Sequence, residues 1–373
     1  MKENKVIIDI EQLTPEWLTR IFNNNGYLSQ GKVSAIISRN SLEHFSFNLH
    51  FLELAFSEDA QTDGVSSKIV VRTSIPYSTP SKILNKHEVK FYNLVAESMD
   101  EKLIPTCYDA TFSEETGHSH IILDDLSKPH IEYGILNYPI PPLKRNCERA
   151  IDFLAEFHAF WWDHKRLKEL SKFSFTFHNL KENSYNEKEI LNWFENEKQT
   201  LNRMLNLLGD RISSKRKELF KTVFSLYPQL VYERIKEKNI TLINYDASFS
   251  NFLYPKDIEN EKSKVKLIIW QDWALGVGTI DLAHMIGLYW LPERRDLMEK
   301  ELVKRYHMAI SNFGVKNYSW EDCWYDYRFS ALLNLYSVVY WWDYGFNPYP
   351  WWNALEIAFL TIEDLNCMEL LES

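Results

Sequence analysis

Apolar and polar residues alternate along residues 33–56. A period of two places every second side chain on the same face of an extended chain, and this alternation is typical of strands. The region therefore predicts a pair of strands. The apolar residues predicted to share one face are Phe45, Phe47, Leu49 and Phe51.

The pattern around this pair predicts a small sheet with helices packed on it. Residues 14–22 predict a short helix, because Thr14 can cap its N-terminus and a proline occupies the first helical position. Residues 81–98 predict a second helix, which carries Glu88. Further strands are predicted at 68–73, 107–112 and 120–126.

Beyond the proline-containing stretch 129–143, the apolar residues follow the period of helices. Residues 147–167 place an apolar stripe on one face, and His158 within it is predicted to be a satisfied core histidine rather than a catalyst. A hairpin is predicted at 241–270. Further helices are predicted at 187–208, 211–235, 280–312, 320–342 and 352–370. These elements predict an α+β protein, with a small sheet-containing part followed by a large helical part.

The most informative stretch of the chain is LINYDASFSNFL at residues 242–253. Asp246 follows a short strand-like lead-in, and Asn251 comes five residues later. This is the spacing of a phosphotransferase catalytic loop, H-x-D-x-x-x-x-N, whose Asp lies beside the substrate hydroxyl and whose Asn holds a metal on the nucleotide phosphates. The alternative for Asp246 is a carboxylate that caps a turn after a strand.

A second motif, KLIIWQDWALGVGTIDLA at residues 266–283, strengthens the first. Together the two motifs resemble the aminoglycoside phosphotransferase and choline kinase superfamily, and most closely its ecdysteroid-kinase-like branch. In that family the loop L-x-H-G-D-x-x-x-x-N-x-L precedes I-D-W-Q, a glycine turn and D-L-A. The segments IILDDL at 121–126 and LAEFHAFW at 154–161 resemble further motifs of the family.

The resemblance implies a protein-kinase-like, two-lobed fold. Residues 1–126 would form a small mixed N-terminal lobe that binds the nucleotide, built on a five-stranded, mostly antiparallel sheet. Residues 127–373 would form a large, mainly helical lobe with the catalytic loop and the substrate pocket.

The resemblance also implies a role for individual residues. Asp246 would receive the acceptor hydroxyl, and Asn244 stands at the position of the family's loop histidine. Asn251 and Asp272 would hold magnesium, and Asp281 would hold the loop through hydrogen bonds. The residues implied to bind ATP or GTP are Arg72, Glu88, Leu123 and Asp124.

Three positions depart from the family's pattern. Asn244 replaces the loop histidine, and Arg72 replaces the lysine that contacts the nucleotide phosphates. Arginine keeps the positive charge but is bulkier than lysine and directed differently. Ile269 stands where the metal-binding Asp belongs, three residues before Asp272. Either Asp272 takes the metal through a shortened loop, or the metal carboxylate has been lost.

Composition narrows the choice of partner. The 373-residue chain has a formal net charge of −10, which argues against nucleic acid because phosphate backbones require clustered Lys and Arg. The same charge is compatible with a cationic substrate or simply with solubility. No uncharged apolar stretch reaches about 18 residues, so no membrane partner is expected. The four widely spaced cysteines predict reduced thiols in the cytoplasm.

Two functions from different classes are compatible with these features. The first is an ATP- or GTP-dependent phosphotransferase that acts on a hydroxyl of a small metabolite or antibiotic. The second is a kinase-fold protein that binds a nucleotide or small ligand without transferring phosphate. Asp246 and Asn251 favour the enzyme, whereas the departures at residues 72, 244 and 269 favour the non-catalytic protein.

Overall fold

The computed structural model describes residues 5–43, 46–62, 64–76, 79–99, 103–132, 142–171, 187–236, 238–260 and 262–372. Contacts divide the chain into two compact units. The sheet unit comprises residues 1–132 and 253–271, and the helical unit comprises residues 133–252 and 272–373.

The described strands and helices account for most of the chain. The strands, in chain order, are β1 (Leu28–Gln30), β2 (Val33–Glu43), β3 (Phe47–Phe56), β4 (Gln61–Thr62), β5 (Lys68–Ser74), β6 (Cys107–Phe112), β7 (Ser119–Asp124), β8 (His130–Glu132), β9 (Thr241–Ile243), β10 (Phe252–Pro255), β11 (Lys266–Leu267) and β12 (Ala274–Gly276). The helices are α1 (Pro15–Asn24), α2 (Thr79–Lys90), α3 (Lys144–Trp161), α4 (Leu167–Leu170), α5 (Glu187–Leu208), α6 (Ser214–Lys236), α7 (Thr279–Gly287), α8 (Pro292–Asn312), α9 (Trp320–Ala331), α10 (Asn334–Asp343) and α11 (Pro348–Asp364).

A five-stranded antiparallel sheet forms the centre of the sheet unit. Its strand order is β2-β3-β5-β7-β6, and all four neighbouring pairs are antiparallel. The helix α1 begins at the predicted cap, where the Thr14 side chain accepts a hydrogen bond from the Trp17 N–H. Burying each large apolar side chain stabilises the fold by roughly 1.5–3 kcal/mol. The core shared by α1 and the sheet includes Leu18, Phe22, Leu52, Ile69 and Ile122.

The second predicted helix of this unit is present in modified form. After α2 ends, the chain continues as a π-helical turn at Phe91–Val95 and a 3-10 turn at Ala96–Ser98. The helical run therefore reaches Ser98, as predicted. Phe91 stacks on Trp270 with ring centroids 3.9 Å apart, which anchors the segment after β11 to this run.

The helical unit buries the predicted stripe of α3. Ile151, Leu154, Phe157, His158 and Trp161 are all buried. The predicted stretches 280–312 and 320–342 each contain two helices rather than one continuous helix. In the first, a proline begins α8 after a short break, because proline is well suited to the first turn of a helix but not to its interior.

The structure confirms the predicted α+β class, with a small antiparallel sheet towards the N-terminus and a helical C-terminal part. Phe45 and residues 133–141 of the predicted proline-containing connection lie outside the described residues. The division into a nucleotide-binding lobe at 1–126 and a substrate lobe at 127–373 stays a prediction. Among the described residues, no helix is long and apolar enough to cross a membrane.

Candidate active site

The predicted catalytic loop begins at a short buried strand of the helical unit. β9 pairs antiparallel with β12, and Ile243 lies opposite Ala274. All residues of both strands are buried. The loop from Asn244 to Asn251 therefore starts from a rigid base, which is what a site requires if its side chains are to keep a fixed geometry.

Asp281 holds the backbone at the start of this loop. One of its carboxylate oxygens, Oδ2, accepts a hydrogen bond from the Asn244 N–H at 2.8 Å, and the other, Oδ1, accepts one from the Tyr245 N–H at 2.7 Å. The Asp281 side chain has 0% exposure. Because Asp281 lies in the first turn of the fully buried helix α7, the loop is attached to the core of the unit.

His158 is a buried partner of Asp281, the residue that holds the loop backbone. Its Nε2 lies 3.2 Å from Asp281 Oδ2, and its Nδ1 lies 2.9 Å from the Tyr306 hydroxyl. Both ring nitrogens thus have partners, and the histidine is fully buried. Gly278 approaches this group so closely that a Cβ atom would lie 2.2 Å from the Tyr306 hydroxyl oxygen. Only a glycine fits there without displacing its neighbours.

Tyr245 is the strained residue of the loop. Its φ is +69°, a left-handed conformation that costs a non-glycine residue roughly 1–2 kcal/mol. Its ring is buried, and burial raises the pKa of its hydroxyl, to which the negative charges of Asp272 and Glu197 add. The neutral phenol is therefore the stable form, and the ring is a packing element next to Asp246.

Asp246 and Asn251 are brought together by the loop. The Asn251 side-chain Nδ2 donates a hydrogen bond to the Asp246 carbonyl oxygen at 3.0 Å. This bond closes the loop across its five-residue spacing. The Asp246 side chain itself keeps 40% exposure, whereas Asn244 is buried. Asp246 is thus the accessible carboxylate of the loop.

His284 is a neighbour of Asp246 that the motifs did not indicate. It lies three residues after Asp281 on α7, and its Nε2 lies 3.4 Å from Asp246 Oδ1. Residues three apart share a face of a helix, so the D-L-A motif followed directly by a histidine was the available signal. The helix α7 therefore contacts the loop in two ways. Asp281 binds the backbone of the loop, and His284 lies beside the Asp246 side chain.

The segment that should supply the metal carboxylate bends between two buried tryptophans. Trp270 and Trp273 are both fully buried, and Asp272 between them is half-buried. In the sheet unit, the Trp270 N–H lies 3.4 Å from Glu88 Oε1, and His87 Nδ1 lies 2.8 Å from the Gln271 carbonyl oxygen.

Arg72 and Glu88 form a buried ion pair in the sheet unit. The Arg72 guanidinium also lies 4.3 Å from the centroid of the Phe47 ring, a cation–π distance. Arg72 stands on β5 and Glu88 on α2, so the pair ties the helix to the sheet. Because Glu88 also lies beside the Trp270 N–H, it links Arg72 to the segment that precedes Asp272.

Leu123 and Asp124, which the resemblance implies to bind the nucleotide, lie at the end of β7. Leu123 pairs with Val70 and Asp124 pairs with Ile69 on the central strand β5. Both side chains are half-buried. Burial raises the pKa of the Asp124 carboxyl.

Among the described residues, no group of three or more His, Cys, Asp and Glu side chains is placed to hold a metal ion. The roles assigned to the site residues from their motifs stay predictions.

Comparisons with known proteins agree with the motifs. The model of the ecdysteroid kinase-like family matches residues 71–315. The structure of an ethanolamine kinase from Plasmodium vivax is 12% identical, covers 88% of this chain and 82% of that chain, and gives a TM-score of 0.53. At this identity the likeness shows the fold alone, which is that of a kinase.

Two further solved structures are similar to the chain. Choline kinase LicA from Streptococcus pneumoniae is 15% identical, covers 88% of this chain and 94% of that chain, and gives a TM-score of 0.47. Amicoumacin kinase hAmiN, in complex with AMP-PNP, Ca²⁺ and Ami, is 10% identical, covers 87% of this chain and 88% of that chain, and gives a TM-score of 0.45. A search of the curated proteins found no match.

Proposed function

Because the chain belongs to the ecdysteroid kinase-like family, we propose that it is an ATP- or GTP-dependent phosphotransferase acting on a hydroxyl group of a small molecule. The observation that carries this proposal is the catalytic loop. The buried carboxylate of Asp281 accepts two hydrogen bonds from the backbone of this loop, and Asp246 is the accessible carboxylate within the loop. The net charge of −10 would suit a cationic acceptor.

In the proposed reaction, Asp246 orients the acceptor hydroxyl. Phosphoryl transfer needs little covalent help from the protein but requires the attacking oxygen to be in line with the bond that breaks. Asp246 accepts the hydroxyl proton late, as the new oxygen–phosphorus bond forms. A half-exposed carboxylate on a loop with a fixed backbone suits this role.

The nucleotide phosphates are assigned to Arg72. A guanidinium can bind phosphate oxygens through two parallel hydrogen bonds, and it keeps its charge at every physiological pH. Its pairing with Glu88 and its position over Phe47 restrict its rotamers, so less entropy is lost when phosphate binds. Leu123 and Asp124, at the end of β7, are proposed to contact the rest of the nucleotide.

Magnesium is assigned to Asn251 and Asp272. Magnesium prefers oxygen ligands and is commonly held by one or two protein groups together with substrate phosphates. The Asn251 carboxamide fits this requirement, because its nitrogen donates within the loop and its oxygen remains for the ion. When bound, the ion would neutralise charge on the transferred phosphate. The cation would be bound together with the nucleotide and not as a resident ion.

A non-catalytic kinase-fold protein is the second candidate. It is favoured by Ile269 at the expected metal position and by the lack, among the described residues, of a group of three or more His, Cys, Asp and Glu side chains placed to hold a metal ion. Such a protein would bind a nucleotide or small ligand through the same fold without a need for magnesium. The two candidates differ in the dependence of nucleotide binding on the metal.

Calorimetric titration of ATP and GTP, with magnesium and with EDTA, tests the proposal. We expect binding that requires magnesium in the wild type and that is lost in the Asp272→Ala variant. The exposed Asp257 provides a matched control, because Asp257→Ala removes the same charge from a position with no proposed role. Magnesium-independent binding that survives Asp272→Ala would favour the non-catalytic protein.

Transfer itself is tested by incubation with panels of small hydroxyl compounds, cationic and neutral. Phosphorus NMR would detect the new phosphomonoester, and its amount should equal that of the nucleoside diphosphate formed. Nucleoside diphosphate without any phosphorylated acceptor would count against the proposal.

A further inference from the structure

His284 has the position of a group that acts on Asp246. Its Nε2 lies 3.4 Å from Asp246 Oδ1, and only 5% of its side chain is exposed. We propose that His284 is a positioning residue that holds the Asp246 carboxylate in the orientation required by the acceptor hydroxyl. The inference rests on the proposed function and adds to it a residue outside the catalytic-loop motif.

The first argument is an unmatched polar atom. His284 Nε2 is buried and has no hydrogen-bond partner among the described residues. Buried polar atoms are nearly always paired, since an unpaired one costs free energy comparable to a lost hydrogen bond. Asp246 Oδ1 is an acceptor within reach of a small movement. Catalytic hydrogen bonds are often long without substrate and shorten when it binds.

The second argument is the rigidity of the ring. All nine residues of α7 are buried, so the backbone that carries His284 is firmly held. Two aromatic rings contact the imidazole edge-on: Tyr289 at 5.7 Å and Trp341 at 6.1 Å between centroids. A ring fixed in this way loses little entropy when it donates a hydrogen bond, whereas a free Asp246 carboxylate would rotate.

The third argument is the difference in exposure within the pair. His284 is buried, while Asp246 keeps 40% of its side chain exposed. A carboxylate held at Oδ1 by the buried partner retains an accessible surface for the acceptor. The histidine therefore acts through Asp246 and is not expected to touch the acceptor.

The proton balance assigns no proton transfer to His284. As the acceptor oxygen bonds to the transferred phosphorus, the bond from phosphorus to the leaving oxygen of the nucleoside diphosphate breaks. The hydroxyl proton passes to Asp246. His284 keeps its Nε2 proton throughout the transfer, and its Nε2–H group forms a hydrogen bond to Asp246 Oδ1.

Two substitutions of His284 separate this role from packing. Glutamine places an amide donor near the position of Nε2, while asparagine, one methylene shorter, places it near Nδ1. We expect His284→Gln to retain kcat within about threefold and His284→Asn to lower kcat by about 10- to 100-fold, the scale of a misplaced catalytic group, with KM little changed. In an Asp246→Asn background, His284→Asn should lower kcat no further. Equal kcat in the glutamine and asparagine variants, or additive losses in the double variant, would overturn the proposal.

A spectroscopic measurement decides the question without any turnover. Protein labelled with ¹⁵N-histidine should show a shift of the His284 ring signals in Asp246→Asn. The same signals should stay in place in Asp296→Asn, which removes an exposed carboxylate of α8 in the same unit. Unchanged His284 signals in Asp246→Asn would overturn the inference. If no acceptor is ever phosphorylated, the proposed function fails, and the ring signals still report whether His284 and Asp246 are paired.

Discussion

Two His–Asp pairs of the helical unit contact the same loop and differ in exposure. His158 and Asp281 are both fully buried, whereas Asp246 of the pair with His284 keeps 40% of its side chain exposed. Both ring nitrogens of His158 have partners, and Asp281 additionally accepts two backbone hydrogen bonds. The same two residue types therefore support the loop backbone in the first pair, whereas the second pair leaves the Asp246 carboxylate accessible.

The comparison shows that burial distinguishes residues that stabilise the fold from a residue that a substrate can reach. Removing one member of a buried, hydrogen-bonded pair leaves charged or polar groups unpaired away from water, which is costly. Changing a half-exposed carboxylate leaves groups that water can still reach. Substitutions of His158 or Asp281 should therefore lower mainly the stability of the protein. Substitutions of His284 or Asp246 should lower mainly the rate of phosphoryl transfer.

The largest expected effect is that of Asp281→Ala. The substitution leaves two backbone N–H groups and His158 without their acceptor, and it should lower the free energy of unfolding by about 3–5 kcal/mol. Urea denaturation followed by circular dichroism would measure it. The matched control Asp246→Ala should cost less than about 1 kcal/mol. Similar losses in the two variants would abolish the distinction between the pairs.

Asp246→Asn should have the opposite profile. We expect transfer to fall by about 10²-fold or more, the scale expected when a positioned proton acceptor is lost, while nucleotide affinity stays within a few-fold. Side-chain size is preserved, so the midpoint of urea unfolding should hardly move. Steady-state kinetics and calorimetric titration supply the two values. Full retention of activity would assign the proton acceptor to another residue.

Gly278→Ala tests the tightness of the buried pair. The added Cβ would lie 2.2 Å from the Tyr306 hydroxyl oxygen and 2.7 Å from His158 Nδ1. Overpacking of this kind costs typically about 1–3 kcal/mol of stability. Adding Tyr306→Phe removes one of the two clashes, so the double variant should lose less than the sum of the single losses. Strictly additive losses in urea denaturation would show that Gly278 is not constrained by this contact.

Glu197 extends the comparison to a carboxyl that has no histidine partner. Its Oε2 is buried without a hydrogen-bond partner among the described residues, and burial, followed by the charge of Asp343, raises its pKa from 4.5 to about 7. The folded protein then binds this proton more tightly than the unfolded chain. The contribution of Glu197 to stability is therefore greatest at low pH and decreases as the pH rises from about 4.5 to about 7.

Glu197→Gln should remove this pH dependence. We expect the variant to be more stable than the wild type at pH 8 by on the order of 2 kcal/mol, and the difference to vanish near pH 4.5. Urea denaturation at a series of pH values would measure the effect. A constant difference across the series would mean that Glu197 does not titrate in this range.

The catalytic loop shows what motif spacing can predict and what it cannot. The spacing of Asp246 and Asn251 along the chain predicted a catalytic loop, and the structure adds a hydrogen bond from the Asn251 side chain to the Asp246 carbonyl oxygen that closes this loop. The same spacing gave no indication of the left-handed backbone of Tyr245, whose N–H donates a hydrogen bond to Asp281. His284 was missed because its relevance lies in its distance to Asp246, which is 38 positions earlier in the chain.

The amino-acid sequence by itself determined the family, most of the strands and helices and the position of the loop. These features depend on local periods of apolar residues and on short motifs, both of which involve residues close together in the sequence. Tertiary structure alone decided that α7 meets the loop twice, that Glu88 lies beside the Trp270 N–H, and that Asp246 remains exposed. The reason is physical: burial and side-chain pairing are properties of residues distant in sequence, and they exist only once the chain has packed.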